Sequence, residues 1–416
     1  MISNCKKYAS ALLLFFVALN GSAQVRDLDF YITEALRNSP LLNDLRNQFN
    51  SASIDSLIIR AQSRPQAEGR SLLLYAPFNK YFGYDEVITD GGNYEAVGYV
   101  SQNIFNRKSI ENKYRSAGTL KEGLGINRKI SQAELKRLIT SLYLQSFSIS
   151  ADLAFNRSFL DLLHEQDRII SQFVRAGIFR QADYLSLLVE TQGQEVLVSQ
   201  LENEYEKNTG TLNEACGIVD TSHVDLQVPD IKPLSVTTNP GNLFLEPFRI
   251  DSLQIINEKA GLDLRYKPIV SWFADAGVLT SNPWNFYRHF GVSAGISLSI
   301  PIYDGQQKKL GQQKLTLREN SRSFYSISSK KLYDQQYLKL QGELEGMKAV
   351  RDKLAKQLEI SDQLVRSLRS ELETGYVRMT DYLNALKSYR NIRHSLNMTD
   401  IAFMSVVNDM NYILSE

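Results

Sequence analysis

The sequence predicts a mainly α-helical fold with a small β part, organised as an internal two-fold repeat. Three observations predict it. The 416 residues contain only ten prolines, the long stretches 78–228 and 302–416 contain none, and landmarks of the first half recur in the second. Because proline interrupts helices and central strands, such stretches allow long uninterrupted elements. The hydrophobic content of 43% and charged content of 22% indicate an ordered chain with a core.

Residues 1–23 are predicted to be a secretory signal peptide. Two lysines precede the apolar run 11–19, and the small residues 21–23 form a cleavage site. Nine apolar residues are too few to cross a membrane as a helix. We expect an exported mature chain that begins near Gln24. It retains Cys216, which we expect to be a small, partly buried hydrophobe near a helix end rather than a reactive thiol. With 47 basic and 46 acidic residues, the charge gives no support to nucleic-acid binding.

The repeat has an offset of 198 residues, the difference between Gly375 and Gly177. Segment 176–188 reads AGIFRQADYLSLL and segment 374–386 reads TGYVRMTDYLNAL, with six identical positions. The same offset aligns Ile-Phe-Asn at 104–106 with Ile-Tyr-Asp at 302–304. An internal repeat of this kind predicts the architecture before any single motif does.

These landmarks divide the chain. We expect repeat 1 at 24–217, a linker at 218–247 that contains four prolines, and repeat 2 at 248–416. Each repeat is predicted to contain a helical hairpin, at about 106–215 and about 304–414.

Two proline-free spans of equal length, 106–174 and 304–372, show helical spacing of apolar residues. The narrow seams are typical of coiled-coil packing. At 1.5 Å per residue, some 65–70 residues form a helix of about 100 Å. Glycines inside the spans predict bends but no breaks. The seams consist of Leu135, Leu138, Leu142, Ile149, Leu153, Leu160, Leu163, Ile170 and Phe173, and of Leu340, Leu344, Met347, Leu354, Leu358, Val365, Leu368 and Leu372.

Each long helix is predicted to stop at a glycine, Gly177 or Gly375, since glycine favours helix ends. A return helix then follows. We expect the first to begin at 182–183 and the second to be capped by Thr380 or Asp381.

Before each long helix the spacing of the apolar residues changes from the helical period of 3.6 residues to the strand period of 2 residues. In 292–302 every even position is apolar and the odd positions are Ser, Gly or Pro. Together with 270–278 and the turn-rich loop 280–288, this predicts a β-hairpin at about 269–303, with a counterpart at about 70–105. The alternation fits a membrane barrel strand and equally a half-buried strand of a soluble sheet. Four strands cannot close a barrel, so a membrane location requires two chains or three.

The pattern resembles the TolC-like outer membrane efflux protein family over about 28–416. The residues that carry the resemblance are the opening motif at 35–41, the Arg-Pro and Lys-Pro pairs at 64–65 and 267–268, the strand-to-helix junction at 299–305, the hairpin tips with Gly177, Asp183, Gly375 and Asp381, and the segment 212–217 that ends the first hairpin.

The resemblance implies a homotrimer in the outer membrane of a Gram-negative bacterium that extends into the periplasm. Each protomer contributes four strands to a 12-stranded transmembrane β-barrel, and the helical hairpins form an α-barrel. Residues 218–247 form the equatorial segment. The implied function is a passive export duct of a tripartite efflux or type I secretion system. It works with a periplasmic adaptor protein and an inner-membrane pump, and it needs no cofactor, metal or catalytic residue.

The same resemblance places a periplasmic aperture and adaptor-docking site at the helix tips. Arg378 and Asp381 are expected to pair across neighbouring hairpins and hold the aperture closed. Their charges are equally explained by helix capping and solvation, and the tyrosines by core packing. The expected site residues are Gly177, Arg180, Asp183, Tyr184, Gly375, Arg378, Asp381 and Tyr382.

Two alternatives belong to other classes. One is a periplasmic or surface coiled-coil scaffold or adhesin without transport activity. The other is a secreted hydrolase, because 291–295 matches the Gly-x-Ser-x-Gly pattern around Ser293. That pattern requires a strand-to-helix turn, whereas Ser293 falls within an alternating strand. The four histidines have no metal-ligand spacing. Aromatic residues near the second hairpin are either an interfacial belt or turn packing: Trp272, Trp284, Phe286 and Tyr287.

Overall fold

The computed structural model describes most of the chain. The described residues are 26–77, 79, 81–83, 85, 90–104, 106–220, 224–234, 239–374 and 376–416. The expected signal peptide and Gly375 lie outside them.

Helices dominate the described residues, and one four-stranded sheet accompanies them. The elements, in chain order, are α1 Leu28–Asn38, α2 Pro40–Gln62, β1 Gln66–Tyr75, β2 Gly92–Ile104, α3 Arg107–Arg175, α4 Gln181–Cys216, α5 Asn242–Arg265, β3 Ile269–Thr280, a short 3-10 helix Pro283–Arg288, β4 Phe290–Ser299, α6 Gln307–Glu373 and α7 Met379–Ile413.

The two predicted long helices are confirmed. Helix α3 has 69 residues and α6 has 67. Both continue without a break through the internal glycines, since helical hydrogen bonding outweighs the cost of about 1 kcal/mol for each glycine. The predicted seam residues are buried or half-buried, with one exception: Leu138 is 52% exposed. The internal repeat itself remains a prediction.

The first long helix ends as its sequence predicts. Gly177 adopts a left-handed conformation with φ of +75°. Its N–H donates to the Val174 carbonyl at 3.0 Å, and that of Ile178 donates to the Phe173 carbonyl at 2.9 Å. This is the Schellman pattern that glycine permits at a helix end.

The predicted starts of the return helices are wrong by one to three residues. Arg180 and Arg378 are the N-cap residues, and neither makes a side-chain capping bond. Asp183 and Asp381 instead lie in the first turn. There the positive end of the helix dipole favours a carboxylate without a capping bond, so the acidic residue marks the first turn rather than the cap.

The sheet is antiparallel throughout, in the order β1-β2-β3-β4. The two predicted hairpins are therefore present, and β2 also pairs with β3. Strand β1 starts at Gln66, before the predicted position of about 70, because Gln66–Arg70 pairs with β2 despite lacking an apolar alternation. Strand β4 ends at Ser299, short of the predicted 302–303.

The chain divides into two compact units. Unit 1 comprises the described parts of Met1–Asn43, Lys129–Leu243 and Lys330–Glu416. One of its cores joins α1, α3 and α4, and Cys216 lies in it with 1% exposure. Cys216 lies at a helix end as expected, but it is fully rather than partly buried. Burial raises the pKa of the Cys216 thiol to about 12.

The segment that follows α4 packs on the same core of unit 1. The Tyr143 hydroxyl donates to the Gln227 carbonyl at 2.8 Å, and Arg26 forms an ion pair with Asp220 at 2.5 Å. Burial raises the pKa of Tyr143, so the hydroxyl stays protonated and remains a donor. These bonds fix the described part of the segment, 217–220 and 224–234, which forms neither helix nor strand.

Unit 2 comprises the described parts of Asp44–Arg128 and Phe244–Ser329. It contains the sheet, most of α2 and α5, and the ends of α3 and α6 that adjoin the sheet. Pro247 lies inside α5, although the sequence pattern places it at the end of the predicted linker 218–247. A proline in the second turn removes few helical hydrogen bonds, so the helix begins before it.

Candidate functional site

The sheet in unit 2 has two chemically different faces. Side chains alternate between the faces of a strand, so the register of the four strands assigns each residue to one face. One face, here called the apolar face, carries no Asp, Glu, Lys or Arg along the four described strands. It includes Leu73, Tyr94, Ala96, Val100, Ile104, Val270, Trp272, Ala274, Val278, Phe290, Val292, Ile296 and Leu298.

Large side chains of the apolar face are open to the surroundings in the single chain. Leu73 is 77% exposed, Val292 79% and Ile296 74%. An uncovered apolar surface of this kind marks a contact with a membrane or with another protein.

The opposite face, here called the polar face, carries all four charges of the strands. Glu68, Tyr99, Asp275 and Ser293 are successive cross-strand neighbours over the four strands. The Ser293 hydroxyl donates to the Asp275 carboxylate at 2.6 Å. Ser293 thus lies in the middle of a strand and bonds to a carboxylate, which is not the nucleophile geometry of a hydrolase.

An arginine links the charges of the polar face to its aromatic residues. Arg70 forms an ion pair with Glu68 at 2.5 Å and lies 3.5 Å from the centroid of the Tyr99 ring. Tyr99 stacks on Phe273 with a centroid distance of 5.9 Å. The Phe273 ring covers Gly295, where an added Cβ would lie 2.6 Å from a ring carbon. Three of the four charges of this face, Glu68, Arg70 and Asp275, therefore have partners within the sheet.

Aromatic residues lie towards both ends of the sheet. Trp272 lies on β3 and donates from its indole N–H to the Gln102 side chain at 3.2 Å. Trp284 and Tyr287 lie in the 3-10 helix that connects β3 to β4 and are 85% and 73% exposed. Such placement fits an interfacial belt better than turn packing for the two exposed rings.

The helix tips in unit 1 are held by an apolar cluster. It joins α3, α4, α6 and α7, and Leu163, Leu187, Met379 and Tyr382 are at most 1% exposed in it. Tyr382 is therefore a core residue. Tyr184 packs against the cluster and is half-buried, and burial together with the neighbouring Asp167 raises its pKa. Tyr376 is 88% exposed.

The charged residues of the two helix tips differ in pairing and in exposure. At the first tip Arg180 contacts Asp183 with both its Nε and Nη2 atoms, at 3.0 and 3.3 Å, and Asp183 is only 8% exposed. At the second tip Arg378 and Asp381 are both exposed, and within the described residues they form no ion pair with each other. The structure thus places all the expected tip residues except Gly375, which lies outside the described part.

Sequence reasoning missed a polar layer in unit 1. His394 and Asn397 on α7 contact Asp152 on α3, each at 2.8 Å. Asn156 accepts from Gln194 on α4 at 2.9 Å, and Gln194 accepts from Arg390 at 2.9 Å. The layer links one helix of the second hairpin to both helices of the first.

The signal for this layer is present in the sequence. Ser148, Asp152 and Asn156 repeat at four-residue spacing on α3, so they share one helix face. That face continues with buried apolar residues, and polar residues on a buried face require partners.

Other chemistry finds no support in the described part of the chain. No group of three His, Cys, Asp or Glu side chains there could hold a metal ion. His164 contacts Glu195 at 3.3 Å, and His223 lies outside the described residues. Among the described helices, none has the length and apolar content needed to cross a membrane.

Comparisons with known proteins agree with this geometry. No protein-family model matches the chain, and no curated protein sequence matches it significantly. Solved structures do match. The CmeC outer membrane channel of Campylobacter jejuni has 11% identity and a TM-score of 0.75, over 93% of this chain and 85% of that chain.

Two further structures give the same result. The outer membrane protein VceC of Vibrio cholerae has 11% identity and a TM-score of 0.73, over 93% of this chain and 96% of that one. The MtrE outer membrane channel of Neisseria gonorrhoeae, in its open state, has 14% identity and a TM-score of 0.71, over 93% and 88%. The chain has the fold of outer membrane channel proteins, which is the fold that its resemblance to the TolC-like family implied.

Proposed function

We propose that the protein is an outer membrane channel of a Gram-negative bacterium that serves as a passive export duct. The observation that carries the proposal is the division of the sheet into a charge-free apolar face and a polar face with all four charges. A membrane barrel needs this division, since one face contacts lipid and the other lines water. The exposed Trp284 and Tyr287 suit the interfacial aromatic girdle of such a barrel.

The number of strands supports an oligomer. Four strands leave two edges with unpaired backbone groups, which lipid cannot satisfy. We propose a homotrimer whose three sheets form a 12-stranded barrel, on the analogy of the family that the sequence resembles. Helix α6 supports a contact between copies, because Leu310, Leu317 and Phe324 recur every seven residues and are 59%, 67% and 74% exposed. Seven-residue spacing is typical of helices that pack on a parallel neighbour.

The helix tips are the proposed aperture and the proposed docking site for a periplasmic adaptor protein. Arg180 is already paired with Asp183 in its own hairpin. Arg378 and Asp381 are exposed, so they are available to a neighbouring copy. We propose that they pair across the copies, close the aperture, and are released when an inner-membrane pump and its adaptor engage. The division into repeats at 24–217 and 248–416 around the segment 218–247 belongs to the same proposal.

The scaffold or adhesin alternative needs no sheet with a charge-free exposed face, so no observation favours it. The duct performs no reaction of its own, and the pump supplies the energy. The test is fractionation of cells that express the protein, followed by electrophoresis of unheated samples and planar-bilayer recording. We expect an outer membrane oligomer that dissociates on heating and conducts ions. Recovery as a soluble monomer would contradict the proposal.

A further inference from the structure

Unit 2 contains a cavity of about 900 Å³ beside the sheet. Its walls come from the end of α2, the start of α3, the end of α5 and the start of α6. Ile104, the last residue of β2 and a member of the apolar face, also lines it. Asn103 and Ile269, which the strand register places on the polar face, line it too. The cavity therefore lies at the edge of the sheet where its strands join the helices, next to residues of both faces.

The rim of the cavity is strongly basic. Its acidic residue, Glu258, is neutralised by Arg318, whose Nη1 contacts both carboxylate oxygens at 2.8 and 2.9 Å. Five further cations remain, all exposed and, among the described residues, all without an ion pair. They are Lys108, Lys113, Arg265, Lys267 and Lys314. Such a concentration of positive charge attracts an anion.

A buried amide on the cavity wall has an unused acceptor. Asn112 is 9% exposed, and its Nδ2 donates to the Asn257 carbonyl at 3.1 Å. This bond fixes the orientation of the Asn112 amide. Only the Nδ2 atom carries hydrogens, so only Nδ2 can face the Asn257 carbonyl. The Oδ1 atom is buried without a hydrogen-bond partner. Gly261 leaves no spare room behind the amide, since an added Cβ would lie 3.0 Å from Nδ2.

A buried acceptor without a donor is costly, so the site is suited to a ligand that brings one. The ligand must also be anionic to match the rim and partly apolar to match Leu262, Leu315 and Ile104 in the walls. A phospholipid has these three properties: a phosphate, a headgroup donor and the first carbons of its acyl chains. Basic pockets at the ends of membrane-spanning segments commonly bind lipid headgroups.

We propose that this cavity binds the headgroup of a membrane phospholipid, with its phosphate at Lys113 and Lys314 and its headgroup donor at Asn112. The proposal rests on the proposed function, which places the edge of the sheet at the membrane surface. Lipid bound there would hold the sheet at a fixed depth in the membrane.

The test is native mass spectrometry of the full-length protein in detergent, after delipidation. Dioleoylphosphatidylethanolamine, dioleoylphosphatidylglycerol and inorganic phosphate are added separately. The variant Lys113→Gln/Lys314→Gln removes two cations of the rim, and Lys330→Gln/Lys331→Gln removes two exposed lysines of α6 outside the cavity. We expect the wild type and the control to bind phospholipid, and the cavity variant to bind it roughly tenfold or more weakly.

Equal lipid binding by the cavity variant and the wild type would overturn the proposal. So would inorganic phosphate binding as tightly as lipid, which would indicate a site for free anions. A cavity filled by a second copy of the chain would leave the oligomer without bound lipid, and this result also overturns the proposal. Bilayer conductance of the same samples tests the proposed function separately, because a channel can conduct whether or not this cavity holds lipid.

Discussion

The Nδ1 atom of His394 on α7 lies 2.8 Å from Oδ2 of Asp152 on α3. This contact joins the second helical hairpin to the first in unit 1. Asp152 is 7% exposed, and Asn397 donates to its other oxygen. A buried carboxylate needs such partners, so the layer fixes which residues of the two hairpins meet.

We therefore expect Asp152→Ala to lower the free energy of unfolding. The substitution removes the partner of His394 and one of the two acceptors of the Asn397 amide, which keeps its bond to the Ser148 carbonyl. The link between α3 and α7 is weakened, at a cost of about 1–3 kcal/mol. Asp161→Ala is the matched control, because Asp161 is an exposed aspartate on the same helix and should change stability by less than about 0.5 kcal/mol. Thermal unfolding followed by circular dichroism measures both. Equal midpoints for the two variants would show that the layer is not stabilising.

The two faces of the sheet predict opposite effects of one added charge. Ile296→Lys places a cation on the apolar face, where it should cost about 2–4 kcal/mol near the bilayer midplane. Ser297→Lys places the same cation on the polar face of the same strand, where the cross-strand neighbour is Ser271. We expect the first variant to lose assembly into outer membranes and the second to retain it, as measured by heat-sensitive migration in gels. Similar assembly of the two would contradict the assignment of the faces.

The long elements could be predicted from the sequence because their signals are local and repeated. Apolar spacing and missing prolines gave α3 and α6 nearly to the residue, and the even positions of 292–298 gave β4 and its apolar face. Pairing between strands is not local. Gln66–Arg70 has no strand pattern of its own and joins the sheet because β2 lies beside it.

For the candidate site, too, local features could be predicted from the sequence and contacts between distant residues could not. The tip residues could be located because Gly177 and the acidic first turn are local signals. Their partners could not, since the bond from Arg180 to Asp183 and the exposure of Asp381 depend on the packing of the tips. The polar layer was missed because Asp152 and His394 are far apart in the sequence and each looks like an ordinary solvated residue.

Two glycines of the polar face predict a contrast in stability. Gly277 and Gly291 are cross-strand partners. A Cβ at Gly277 would collide with the carbonyl oxygen of Ala96, whereas a Cβ at Gly291 would have nothing within 4 Å. We expect Gly277→Ala to reduce the amount of assembled protein, because a backbone atom of β2 has to move. Gly291→Ala should leave it unchanged. Quantitative immunoblots of the outer membrane fraction compare them, and an equal yield would argue against the close approach of β2 and β3.

The burial of Cys216 predicts how its reactivity depends on pH. The thiolate is the reactive form, and burial raises the pKa of this thiol from 9.0 to about 12. At pH 9 the folded protein should resist iodoacetamide, while the chain unfolded in guanidinium chloride should react readily. Because the folded pKa is the higher one, this group also lowers stability as the pH rises from 9 towards 12. Mass spectrometry measures the labelling, with Cys216→Ser as the blank. Rapid labelling of the folded protein would show that the thiol is accessible.

The exposed charges of the second tip give the most direct test of a gate. Arg378→Ala/Asp381→Ala removes two side chains that have no ion pair with each other in the single chain, so any effect on the channel must come from other partners. If they pair across neighbouring copies, the variant should raise single-channel conductance in planar bilayers. Arg366→Ala/Asp362→Ala is the matched control, because it removes an ion pair of 2.8 Å that lies within one turn of α6 and is satisfied without a neighbour. We expect the control to conduct like the wild type. If the tip variant also does so, the two residues serve only as solvated charges at the start of α7, and the aperture is held by other contacts.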